Sequence, residues 1–146
     1  MSAAEMMLDQ CACQRTRTAA RAITRAYDAA LRPTGLRATQ VAVLAGAAAR
    51  DVVSIAALAE TLGMDRSTLT RALSTLARAG LVRVGDEGWR RSRSVRITAP
   101  GQAQLERALP LWSQAQAALR EQLGDRGWSD TICMLDRLSM IDAPTH

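Results

Sequence analysis

The sequence contains no lysine and no phenylalanine, and aromatic residues make up only 3% of its 146 residues. A hydrophobic core must therefore be built from leucine, alanine, valine and isoleucine, and alanine-rich stretches of this kind favour helices. The single histidine is the last residue, His146, and the sequence has no carboxylate pair, nucleophile–base set or phosphate-binding loop. These absences argue against an enzyme, and we expect no cofactor.

The chain is also poor in cysteine and in long apolar runs. Its three cysteines, Cys11, Cys13 and Cys133, are an odd number, which does not suggest a disulfide framework. Residues 1–8 lack the basic and apolar regions of a signal peptide, and no apolar run approaches 18 residues. We therefore expect a cytoplasmic protein with reduced thiols and no membrane partner.

Positive charge is present and is concentrated in one segment. All 19 basic residues are arginine, and residues 65–96 hold eight of them against three acids, a net charge of +5. The remainder of the chain has eleven arginines and eleven acids, so it is neutral. A localised basic segment of this kind is what a surface facing phosphate groups needs.

The spacing of apolar residues predicts a mainly α-helical fold with one β-hairpin. Helices are expected over residues 8–31, 39–49, 55–62, 66–79, 100–123 and 129–141, with the hairpin between residues 81 and 98. Ser54 and Asp65 can N-cap the third and fourth helices. Gly63 and Gly80 can end them, while Gly124 and Gly127 are expected to break the chain before the last helix.

Residues 55–72 fit a helix-turn-helix motif. Ala59 is the small residue needed where the two helices cross, Gly63 suits a turn with positive φ, and Leu69 is the apolar anchor of the second helix. The basic hairpin that follows strengthens the prediction of a winged helix-turn-helix.

With these motifs the sequence resembles the multiple-antibiotic-resistance regulator (MarR) family. LAETLGMDRSTLTRALSTLARAGLVRV (residues 58–84) is similar to the family's third and fourth helices and first wing strand. RRSRSVRITAPG (residues 90–101) is similar to the second wing strand and the start of the fifth helix, and LRPTGLRATQVAVL (residues 31–44) to the junction of the first two helices. The sequence departs from the family at Val84 and Trp89, which stand where a basic residue and an aspartate are usual.

The resemblance implies a homodimeric transcriptional regulator, and a repressor is the form expected. Residues 1–36 and 100–146 would form the dimerisation helices, and residues 37–99 the DNA-binding region. The partner implied is double-stranded DNA with a pseudo-palindromic operator. A small aromatic effector bound between the dimer helices and the winged lobe would relieve DNA binding.

The candidate DNA-binding residues lie on the second helix of the motif and on the wing. Leu69, Leu73 and Leu76 are predicted to face inward, which leaves the polar side chains of that helix to meet base edges in the major groove. These candidates are Arg66, Ser67, Thr68, Thr70, Arg71 and Ser74. Arg90, Arg91 and Arg93 are the wing candidates for phosphate or minor-groove contacts.

Cys13 is a candidate redox sensor, since it aligns with the reactive cysteine of the family's organic-peroxide sensors. Tyr27 matches one of the tyrosines that assist that cysteine, and Arg17, four residues on, can stabilise a thiolate. The alternative is that the cysteine is a small buried apolar residue at the dimer seam, which is at least as well supported. Cys11, Cys13 and Cys133 could instead form a thiolate metal site of a metal-responsive regulator, although no metal is expected. A winged-helix module that binds protein instead of DNA is the remaining alternative.

Overall fold

Helices dominate the part of the chain that the computed structural model describes, which is residues 2–85 and 93–141. In chain order the elements are α1 (Ala3–Gln10), α2 (Ala12–Leu31), a 3-10 turn (Arg32–Thr34), α3 (Ala38–Ala48), β1 (Val53–Ser54), α4 (Ile55–Leu62), α5 (Arg66–Arg78), β2 (Val82–Gly85), β3 (Ser94–Ile97) and α6 (Ala99–Ser139). The chain divides into two units, Met1–Trp112 and Ser113–His146. The predicted mainly α class with a small wing is confirmed.

The N-terminal helix is broken, so the prediction of one helix over residues 8–31 is wrong. Cys11 has extended backbone angles (φ −72°, ψ 109°) and separates α1 from α2. The carbonyl oxygen of Asp9 accepts a hydrogen bond from Arg15 Nε at 2.6 Å, and the Asp9 carboxylate accepts another from the same guanidinium at 2.8 Å. In a continuous helix that carbonyl would accept the N–H of residue 13. The arginine therefore replaces a backbone bond at the break.

Helices α4 and α5 form the helix-turn-helix with the predicted caps. Ser54 Oγ accepts from the N–H of Ala57 at 3.1 Å at the start of α4. Gly63 ends α4 in the left-handed region at φ 59°, where a residue with a Cβ is strained. The N–H of Met64 then donates to the carbonyl of Ala59 at 2.9 Å, which closes the turn before α5. The motif predicted from residues 55–72 is confirmed.

Three short antiparallel strands in the order β1-β3-β2 form the described part of the wing sheet. Val82 pairs with Ile97 and Val84 with Val95, as a hairpin between residues 81 and 98 requires. Strand β1, in which Val53 pairs with Val95, was not predicted, because a strand of two residues is too short to show an alternation of apolar and polar residues. Residues 86–92, which include Trp89, Arg90 and Arg91, lie outside the described residues.

The core of the first unit is built from aliphatic side chains of its helices and sheet. The largest fully buried side chains are those of Leu31, Leu44, Leu58, Leu69, Leu76, Val43 and Val95. Helix α6 is joined to this unit at its first turns, because Thr98 Oγ1 donates to the carbonyl of Gly80 at 2.6 Å. Gln104 Nε2 also donates to the carbonyl of Thr34 at 2.7 Å, which ties α6 to the turn after α2.

The second unit contains the remainder of α6, which is interrupted once. Gly124 has non-helical angles (φ 69°, ψ 163°), so the predicted break at this glycine is confirmed. Gly127 lies within the helix, and the helix resumes before Ser129, so those two predicted boundaries are wrong. Large apolar side chains remain exposed here, including Ile132, Met134, Leu135 and Leu138. No helix in the described ranges is long and apolar enough to cross a membrane.

Candidate nucleic-acid interface

Helix α5 has one buried apolar face and one exposed polar face. Leu69, Leu73 and Leu76 are buried, as predicted from their spacing. The candidate side chains Arg66, Ser67, Thr70, Arg71 and Ser74 are exposed, and Thr68 is half-buried. The helix therefore presents hydroxyl groups and guanidinium groups to a ligand along its free side, which is the composition that direct readout of base edges uses.

The polar side chains at the start of α5 are ordered by Asp65. Its carboxylate accepts from Ser67 Oγ at 2.6 Å, from the N–H of Thr68 at 2.8 Å and from Thr68 Oγ1 at 2.9 Å. These bonds lower the pKa of Asp65 from 3.8 to about 2, and the bond from Ser67 has the largest effect. Asp65 is thus both the predicted N-cap of the helix and an ionised group that fixes two of the candidate contact residues.

The wing carries further arginines on its exposed face. Arg83 and Arg96 are Cα partners on β2 and β3, and both side chains are exposed. Arg93, which precedes β3, is exposed as predicted, and its carbonyl accepts the N–H of Ile55 at 3.1 Å. Sequence reasoning counted Arg83 and Arg96 in the basic segment but did not name them as contacts, although the alternation of the strands places both on one face.

The redox candidates are spread along α2 and are not gathered into one site. Cys11 and Cys13 are exposed at its start, with Arg17 one turn beyond Cys13. Tyr27 follows Cys13 by 14 residues of the same helix, a separation of about 21 Å at the rise of an α-helix. Within one chain the tyrosine therefore does not contact the cysteine. Among the described residues, no three His, Cys, Asp or Glu side chains are grouped so that they could hold a metal ion.

Tyr27 instead lines an apolar cavity in the first unit. The cavity has a volume of about 320 Å³. It is bounded by Tyr27, Leu31, Ala38, Val41, Ala42, Ala45, Leu105, Leu109 and Trp112. Burial raises the pKa of the Tyr27 hydroxyl. The sequence did not identify this site, because its walls combine α2 and α3 with α6, which lies far from both along the chain.

The exposed polar face of α5, the closed turn before it and the basic strands after it define a winged helix-turn-helix protein. Comparison with protein families finds a match to the MarR family over residues 34–92. The M. tuberculosis transcriptional regulator MosR is 39% identical, with a TM-score of 0.79 over 90% of this chain and 95% of that one. The chain belongs to the MarR family of transcriptional regulators.

Two further solved structures are similar. MosR from M. tuberculosis in complex with DNA is 38% identical, with a TM-score of 0.76 over 90% of this chain and 100% of that chain. CouR from Rhodococcus jostii RHA1, bound to p-coumaroyl-CoA, is 22% identical, with a TM-score of 0.78 over 94% of this chain and 98% of that chain, and it shares the fold. Comparison with curated proteins gives no match.

Proposed function

We propose that the protein is a cytoplasmic repressor that binds a pseudo-palindromic DNA operator as a homodimer. The observation that carries the proposal is the exposed face of α5, where Arg66 and Arg71 stand beside hydroxyl groups ordered by Asp65. Support comes from MosR, a relative 38% identical to this chain that has been crystallised with DNA. Winged helix-turn-helix proteins place this helix in the major groove.

In the proposed complex the residues of α5 contact bases and the wing contacts the backbone. Arg66, Ser67, Thr68, Thr70, Arg71 and Ser74 are assigned to the major groove. Arg71 is the candidate for paired hydrogen bonds to guanine, which its planar guanidinium can form. Arg90, Arg91 and Arg93 are assigned to phosphate or the minor groove, where contacts add affinity for every sequence. Exposed Arg83 and Arg96 extend the same basic surface along the wing strands.

The test is a footprint and a salt-dependent mobility shift with duplex DNA from the region upstream of the protein's own gene. Arg71→Ala is expected to weaken specific binding by about 1–3 kcal/mol and to relax the preference at one base pair per half-site. Arg91→Ala is expected to weaken binding to all sequences and to reduce its dependence on salt. Arg107→Ala removes the same charge from an exposed position on α6 and serves as the control. An unchanged footprint with both Arg71→Ala and Arg91→Ala would exclude the assigned surface.

The homodimer is proposed to form through residues 1–36 and 100–146. Soluble monomers seldom expose large continuous apolar patches, and a twofold interface would cover these side chains with their own copies. The exposed apolar side chains in these segments are Met6, Met7, Leu8, Leu109, Trp112, Leu123, Ile132, Met134, Leu135, Leu138, Met140 and Ile141. Two recognition helices about 34 Å apart would then enter successive major grooves of one operator.

Release from DNA is proposed to follow binding of a small aromatic effector in the cavity beside Tyr27 and Trp112. The cavity is nearly all apolar, and its volume of about 320 Å³ lies in the range of small-molecule sites. CouR, which shares the fold, has been solved with p-coumaroyl-CoA. Thiol oxidation at Cys13, with Cys11 and Arg17 beside it on the chain, is the alternative trigger.

A substitution that fills the cavity distinguishes the two proposed triggers, binding of an aromatic effector and oxidation of a thiol. Ala45→Leu adds three carbons at an exposed alanine of the cavity wall, and Ala49→Leu adds them outside the cavity as a control. If an aromatic effector acts here, Ala45→Leu should hold DNA at effector concentrations that release the wild type and the control. Equal release of all three proteins would place the effector elsewhere.

A further inference from the structure

The three hydrogen bonds received by Asp65 determine which way two hydroxyl groups of the recognition helix point. Ser67 Oγ lies 2.6 Å from one carboxylate oxygen, and Thr68 Oγ1 lies 2.9 Å from the other. An ionised carboxylate has no proton and only accepts hydrogen bonds. Both hydroxyl groups must therefore donate their single proton to Asp65. At neutral pH the carboxylate is ionised, since even the ordinary aspartate pKa of 3.8 lies far below 7 and that of Asp65 is lower still, about 2.

A hydroxyl group that has donated its proton can offer a ligand only its lone pairs. Phosphate oxygens also carry lone pairs and no proton, so they cannot bond to such a group. The negative charge of Asp65 at the first turn of α5 further opposes a phosphate, although free helix N-termini usually attract one. Ser67 and Thr68 are thus unsuited to the backbone of DNA and suited to a hydrogen-bond donor.

In the major groove, the donors on base edges are the exocyclic amines, N4 of cytosine and N6 of adenine. At the equivalent positions guanine presents the acceptor O6, beside N7, and thymine presents the acceptor O4. We infer that Asp65 is a specificity-determining residue that makes the Ser67 and Thr68 hydroxyl groups acceptors, so that they select cytosine or adenine over guanine or thymine on the contacted strand. The inference rests on the proposed DNA binding and assigns one position of each half-site to this amine.

The first arm of the test removes the amine from the DNA. Selection from random duplex DNA gives the preferred half-site of the wild-type protein. The adenines and cytosines of that site are then replaced one at a time. Purine, which lacks N6, replaces adenine, and 2-pyrimidinone, which lacks N4, replaces cytosine. Dissociation constants are measured at one salt concentration. Loss of the amine from one of the two half-sites is expected to weaken wild-type binding about three- to tenfold, the effect of one hydrogen bond.

The second arm removes the hydroxyl groups from the protein. The double variant Ser67→Ala, Thr68→Val should be insensitive to the same amine deletion, which also corrects for any weakening of the base pair itself. Thr75→Val is the control, since Thr75 Oγ1 donates to the carbonyl of Arg71 on the same helix. This control should keep the wild-type sensitivity. Thermal unfolding of each variant establishes that it is folded.

Asp65→Asn provides a variant that keeps an N-cap, because asparagine is also a preferred capping residue. Its amide can donate a proton to one hydroxyl group and thereby release that group to act as a donor. The preference for cytosine or adenine at the assigned position should shrink while DNA binding persists. The inference would be overturned, with DNA binding intact, if the protein selected guanine or thymine at the assigned position. It would also be overturned if no amine deletion weakened wild-type binding more than binding of the double variant. Failure to select any sequence would instead overturn the proposed function, and the inference with it.

Discussion

At the scale of single residues, Asp65 links the stability of the protein to its recognition helix. Its pKa is about 2 when folded and near 3.8 otherwise, so the folded state holds the charged form more strongly. The resulting stabilisation is complete above pH 3.8 and is lost as the pH falls towards 2. The melting temperatures of the wild type and Asp65→Asn should therefore differ most near neutral pH and converge below pH 3.8. A difference that does not vary with pH would contradict the assignment.

Cys13 offers a second prediction at this scale. It is exposed at the start of α2, and Arg17 follows one helical turn later. If oxidation is the trigger, Cys13→Ser should stay on DNA under an organic hydroperoxide that releases the wild type. Cys133→Ser, which removes an exposed thiol from the second unit, is the control and should behave as the wild type. Equal release of all three proteins would show that Cys13 is not the trigger.

At the scale of secondary-structure elements, α6 meets the base of the wing through Gly101. A Cβ at this position would collide with the carbonyl oxygen of Leu81 and would lie 2.9 Å from Ile97 Cγ1. Backbone cannot move aside as a flexible side chain can, so Gly101→Ala is expected to destabilise the fold by about 1–3 kcal/mol.

Gly127→Ala is the matched control for this substitution, since Gly127 lies in the same helix and its nearest contact would be an ordinary 3.6 Å. Alanine there should leave the free energy of unfolding unchanged or raise it by up to about 1 kcal/mol. Urea denaturation measures both variants. Equal stability of Gly101→Ala and the wild type would contradict the packing of α6 against Leu81.

The elements themselves show how far sequence reasoning reaches. Ser54, Gly63 and Asp65 fix α4 and α5 by local chemistry, so their boundaries were predictable to within a residue. The break at Cys11 was not, because it depends on Arg15 bonding back to Asp9 and involves no glycine or proline. The polar contact residues of α5 were predictable from the helical spacing of its apolar residues, which assigns the polar side chains to the opposite face. Their ordering by Asp65 required the side-chain geometry.

At the scale of the whole molecule, the proposed dimer predicts that a charge placed in its interface prevents dimerisation. Leu135 is exposed on the last part of α6, where the twofold interface is expected to cover it. Leu135→Glu would place a charge in that interface and should yield monomers by light scattering at micromolar concentration, with weaker DNA binding. Ser129→Glu adds the same charge at an exposed polar position of the same segment and should stay dimeric. A monomeric wild type would contradict the dimer directly.

The central claim is sequence-specific DNA binding through α5, and a titration of labelled duplexes tests it most directly. The wild-type protein is added to its selected operator and to a duplex of the same composition in scrambled order, over a range of salt concentrations. We expect two chains per operator and a preference for the operator of about a thousandfold or more. Affinity for both duplexes should fall steeply as salt rises. Equal affinity for the two duplexes, or no binding at low salt, would contradict the account.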